Sequence, residues 1–188
     1  MSDTTHTGAV EGAAGGSVEA SRDRERADLI ETLDRHRFFL RHTVRDLTDE
    51  QAAMRTTASQ LSLAGLIKHV AATERLWAAF ILEGPSAMPS WTDPDAQARY
   101  FDGFRMLPGE TLAELLGAYQ AVAGATDELV RTLPDLDAEQ PLPPASWFPP
   151  GGRWSARRVL LHIVAETSQH AGHADIIREA LDGAKTMG

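Results

Sequence analysis

Apolar residues recur along this chain at helical spacing, in long blocks separated by irregular stretches. Leu29, Leu33, Leu40, Val44 and Leu47 follow at intervals of four, seven, four and three, which predicts a first helix over roughly residues 22–46. Thr48 to Gln51 has the Thr-x-x-Gln form of a capping box and marks a short helical turn. Ser62 is the N-cap expected for a second helix with Leu63, Leu66, Val70, Trp77 and Ile81 on one side, ended by Gly84-Pro85. The stretch "PSAMPSWTDPD" predicts a loop. A third helix runs from near Glu110 to Leu133 and stops at Pro134, and "PLPPASWFPPGG" is neither a helix nor a central strand. The last helix starts at Ser155, where Trp154 and Val159 suit a hydrophobic staple, and runs to about Leu181 before Gly183.

No segment shows convincing strand alternation. Four long amphipathic helices joined by long loops predict an all-α fold, a four-helix bundle occupying residues 22–188. Residues 1–21 are small and polar without an apolar stripe, and are expected to form a disordered tail that includes His6.

The last helix carries an anomaly. At about 100° per residue, with Glu166 at zero, Val159 and Ile177 fall near 20° and Ile163 and Leu181 near 60°. His170 falls at about 40°, inside the same apolar arc, while His173 and His162 lie at its near edge. An ionised carboxylate there is costly unless it is paired or binds a cation. Glu166 and His170 are four residues apart, so their side chains converge; His162 and His170 are about 12 Å apart along the axis, too far for one ion.

A third ligand must therefore come from another helix. His69, beside Leu66, Leu76 and Phe80 on the second helix, is the candidate. His36 and His42 sit among Arg35, Arg37, Arg41 and Arg45, as surface histidines do. Spacing alone leaves two readings open: a metal centre, or satisfied core histidines, with Glu166 salt-bridged to an arginine and the His stripe lining a wet groove.

Composition narrows the chemistry. The chain has no cysteine, so thiolate metal sites, disulfides and a protein thiol nucleophile are excluded, and any sulfur chemistry needs an external thiol. A formal charge of −9 without a basic cluster argues against nucleic acid or an anionic membrane as partner. No apolar run approaches the roughly 20 residues that span a bilayer, and no basic-then-apolar leader is recognisable, so a cytoplasmic location is expected.

"LSLAGLIKHVAATERLW" (61–77) together with "WSARRVLLHIVAETSQHAGHADIIRE" (154–179) resembles the DinB-like superfamily, over about residues 25–182. Within it the match is to an actinobacterial branch, and the site pattern is similar to that of the mycothiol-dependent maleylpyruvate isomerases. The resemblance implies an up-down-down-up bundle holding one divalent metal ion, zinc before nickel or iron. Carried over by position, the ligands are His69, Glu166 and His170. Glu166 stands where many members have His, and His173 where many have Gln.

The resemblance further implies a metal-dependent S-transferase or isomerase that activates mycothiol or a similar small-molecule thiol toward an electrophilic substrate. A metallohydrolase on the same site, or a non-catalytic metal-binding bundle in stress response or dimer formation, are the alternatives. His173, one turn from His170, and Glu74 on the second helix are the candidate catalytic proton carriers. The loops bearing Trp91 and Trp147 are expected to wall the cleft.

Overall fold

The computed structural model describes residues 9–90 and 92–186, with side chains from residue 19 onward. Four long helices dominate: α1 (Ala9–His42), α3 (Leu63–Glu83), α5 (Leu112–Thr132) and α6 (Ala156–Asp182), with short helices α2 (Asp49–Ala53) and α4 (Pro94–Asp102) between them. Their boundaries are written in capping chemistry. The Thr48 and Thr111 side chains accept from the backbone N–H groups of Gln51 and Glu114 in complete capping boxes, while those of Ser62 and Ser155 accept from Gly65 and Arg158. Gly84 and Gly183, at φ of 64° and 80°, end α3 and α6.

The ends of the helices fix their directions. Arg26 near the start of α1 donates to the carbonyls of Val130 and Leu133 at the end of α5. Arg178 near the end of α6 donates to the carbonyls of Thr43 and Arg45, just past the end of α1, both at 2.8 Å. Gln140, in the connection between α5 and α6, reaches the Ile81 carbonyl at the end of α3. So α1 and α6 run one way and α3 and α5 the other: the up-down-down-up order. Around the bundle α6 packs between α1 and α3, and α5 packs against both of those on the opposite side.

The core has two apolar ends and a charged middle. Leu40, Val44, Leu63, Leu66 and Ile177 belong to one cluster, and Leu33, Trp77, Phe80, Val130 and Leu160 to the other. Between them along the helices lies Arg37, wholly buried. It donates through Nη2 and Nε to both oxygens of the buried Glu74 (2.5 and 3.2 Å) and through Nη1 to Asp127 (2.8 Å) and Asp34 (3.0 Å). Bidentate pairing offsets the desolvation of both charges, and the pairing with Glu74 and Asp127 holds the Arg37 guanidinium protonated against its burial.

Four expectations need correction. Helix α1 starts at Ala9, not residue 22, and ends at His42. Elongating a docked helix adds one hydrogen bond per residue, and Ala9, Ala13, Ala14 and Ala20 favour it despite three glycines. The side chains of residues 19–24 are nevertheless exposed, and the first anchoring contacts come from Glu25 and Arg26; residues 1–8, with His6, lie outside the described residues. Part of the expected 90s loop is helix α4, set by the Asp93 N-cap and Pro94 in the first turn. Two three-residue strands, β1 (Glu139–Pro141) and β2 (Arg153–Ser155), pair antiparallel at the ends of the proline-rich loop, where a two-stranded ribbon tolerates Pro141. Arg37 is interior, not part of an exposed arginine face.

Candidate metal centre

Helices α3 and α6 face one another, and their contact line brings His69 opposite Glu166 and His170. One nitrogen or carboxylate oxygen from each of the three lies within 4.8 Å of the others. Donors sharing one ion at about 2.0–2.2 Å sit no more than about 4.4 Å apart, so a small side-chain adjustment closes the set. The imidazole rings of His69 and His170 meet edge-to-face, 4.9 Å between centroids.

Along its own helix Glu166 is flanked by an imidazole on each side. Nε2 of His162 lies 3.8 Å from Oε1, and Nε2 of His170 lies 3.7 Å from Oε2. His162 packs edge-on against the stacked pair Trp77 and Trp154, at 4.7 and 5.1 Å between ring centroids. It is outside the three-donor cluster, as the axial distance predicts, and neighbours the carboxylate. Its wheel position is visible in the sequence; the tryptophan pair beside it is not.

His69 is 8% exposed and stacks on Phe104 at 4.1 Å, with Tyr100 edge-on. Both rings come from α4 and the turn after it, and a glycine lets them approach. A Cβ on Gly65, one turn before His69, would lie 2.0 Å from the Phe104 carbonyl oxygen. Burial, helped by neighbouring His170, pushes the His69 pKa down to about 4. Burial also lowers those of His170 and His162, against the pull of Glu166 on the latter. The imidazoles are therefore neutral at pH 7, with lone pairs ready to coordinate. Nδ1 of His170 is buried and has no hydrogen-bond partner among the described residues. Two neutral imidazoles and one carboxylate form a donor set that could hold a divalent ion.

The two expected proton carriers part company here. His173 is exposed and tilts against His170, 5.6 Å between centroids, at the edge of the cluster. Glu74 is not brought to the site; it is enclosed and committed to Arg37. Beside the cluster opens a cavity of about 680 Å³, lined by His69, His162 and Glu166 at its polar end and by Trp77, Trp147 and Phe148 among its apolar walls. Trp147 thus lines the cleft, as expected of its loop; Trp91 lies outside the described residues.

The sequence model of the mycothiol-S-transferase family matches residues 28–183, from the first buried turn of α1 to the cap of α6. The chain belongs to the mycothiol-S-transferase family. This agrees with the DinB-like resemblance of the two quoted segments and with the all-α bundle. The fold is also that of a crystal structure of a conserved protein from Enterococcus faecalis. That protein is 16% identical, with a TM-score of 0.61, covering 83% of this chain and 96% of the other. No curated protein matches. The matched span of the mycothiol-S-transferase model takes in His69, Glu166 and His170 and leaves out the whole of the segment expected to be a tail. Among the described residues of this family member, no helix is long and apolar enough to cross a membrane.

Proposed function

We propose that this chain is a metal-dependent thiol S-transferase, in which His69, Glu166 and His170 hold one divalent ion, zinc foremost, and the cofactor thiol is mycothiol or a thiol like it. The observation that carries the reading is the convergence of three donors from two helices, two of which, His69 and Glu166, line the polar end of a cavity, in a member of a mycothiol-S-transferase family. Three protein ligands leave a position open, the arrangement of a catalytic rather than a structural ion. A divalent ion there supplies the charge that lowers the pKa of an incoming thiol and favours its thiolate.

The chain's own residues do the rest. Buried, neutral His69 and His170 present lone pairs rather than protons at pH 7. His162 lies beside the Glu166 carboxylate on the side away from His170, its Nε2 3.8 Å from Oε1. Trp77, Trp147 and Phe148 give the cavity apolar walls beside that polar end. His173 is the side chain next to His170 open enough to pass the thiol proton to solvent. Since the chain has no cysteine, the reacting sulfur must arrive with the cosubstrate.

Calorimetric titration of mycothiol into zinc-loaded and metal-free protein tests this. Binding to the loaded form alone is the expected result. Equal binding to both forms, or binding to neither, would remove the S-transferase reading.

A further inference from the structure

The outer face of α6 reads as a palindrome. At about 100° per residue, its exposed residues between 158 and 179 fall within one arc of about 100°, apart from His173 at the edge beside the metal cluster. Each has a counterpart equally far from the midpoint between Ser168 and Gln169. Leu161, 49% exposed, answers Ile176, 62% exposed. Ala165 answers Gly172, where an added Cβ would meet nothing within 4 Å. At the ends Arg158 answers Glu179, and among the described residues neither has an ion-pair partner. A mid-helix glycine weakens a helix relative to alanine, and no neighbour within the chain needs the room at Gly172.

From this symmetry we propose that the face binds a second copy of the chain, α6 against α6, antiparallel about a two-fold axis between Ser168 and Gln169. A two-fold contact requires a patch complementary to itself. In this register Leu161 meets the partner's Ile176, and Arg158 meets the partner's Glu179 at both ends of the seam. Ala165 and Gly172 lie nearest the contact line and let the helix axes approach to about 8 Å. The Arg158 guanidinium lies over the Trp154 ring at 4.2 Å, which holds it in place and leaves its N–H edge for a carboxylate. A parallel pairing would set arginine against arginine and glutamate against glutamate, so charge selects the antiparallel one. Although the chain carries a formal charge of −9, two copies meet over a seam that is uncharged between its ends. Glu166 and His170 face α3 from another side of α6, so the contact stands independently of the S-transferase reading.

Sedimentation of the full chain tests it. At about 50 µM the parent should run at twice the 20.4 kDa of one chain, and dilution should dissociate it. Leu161→Glu and Ile176→Glu, both at exposed positions, should each weaken the dimer at least about tenfold with helical circular dichroism retained. Arg158→Glu or Glu179→Arg alone should weaken it comparably, and the two together should restore the parental affinity within about threefold. Because the chain has no cysteine, Ser168→Cys offers a single thiol beside the axis, and mild oxidation should link two copies. Ala125→Cys, exposed on α5, should not link. A parent that stays monomeric at about 50 µM overturns the inference. So does a dimer indifferent to the α6 substitutions and charge reversals, because its contact lies on another face. If a variant loses its helical signal, the Ser168→Cys cross-link decides.

Discussion

Glu166 and His170 show what a helical wheel can deliver for single residues. Two ionisable groups inside an apolar arc are anomalous, and the anomaly marks the cluster. His69 could be proposed from the same logic on its own helix. Arg37 is legible by the same logic. The seven-residue interval between Leu33 and Leu40 leaves an interior position open, and Arg37 fills it; Glu74 fills the matching gap between Val70 and Trp77. A run of neighbouring arginines disguised the first gap, and burial of the pair, not exposure, keeps Glu74 from acting as a proton carrier. The depressed pKa of His69 gives a residue-scale prediction. In metal-free protein His69 stays neutral down to about pH 4, whereas the unfolded chain takes up that proton near pH 6.5. The unfolded state therefore binds more protons between these values, and stability falls as pH drops through that window. At about 1.4 kcal/mol per pH unit the loss from this group approaches about 3 kcal/mol by pH 4. Urea unfolding of metal-free protein from pH 7.5 to 4.5 should show it, and His69→Gln should flatten the slope; an unchanged slope would contradict the buried neutral imidazole.

At the scale of elements, Ser, Thr and Gly caps were readable because each works through local geometry, and the helix ends at Ser62, Gly84, Ser155 and Gly183 fall where those residues stand. Helix α4 was not readable from periodicity. Nine residues with one buried alanine carry too little apolar pattern, and only the Asp93-Pro94 start signal betrays them. The strand pair is likewise set by tertiary contact rather than by alternation. What α4 does for the site depends on Gly65, whose missing side chain admits the Phe104 backbone against α3. Gly65→Ala should raise intrinsic helix propensity by up to about 1 kcal/mol. The 2.0 Å clash with backbone should outweigh it, giving a net loss of about 1–2 kcal/mol in urea unfolding. Because Phe104 stacks on His69, zinc affinity should fall as well. A variant as stable and as metal-avid as the parent would show that α4 does not bear on α3 in this way.

The whole molecule is a bundle whose parallel pairs, α1 with α6 and α3 with α5, leave the antiparallel α3–α6 seam to carry chemistry. That seam is polar beside its contact line and closed by loops from the far end of the bundle, so the site needs both the helix order and the long connections. Charge follows the same division. Arg37, Glu74 and Asp127 are mutually satisfied within the bundle, whereas among the described residues Glu166, its side chain 30% exposed, is flanked by imidazoles that are neutral at pH 7. Under the proposed function a divalent ion is the counter-charge of that carboxylate. Elemental analysis of the purified protein and its single-residue variants tests that claim most directly. The account predicts about one divalent ion per chain in the parent and in His173→Ala, and loss of most of it in His69→Ala, Glu166→Ala and His170→Ala, with the helical circular dichroism of each variant retained. Full occupancy in His170→Ala with loss in His173→Ala would contradict it.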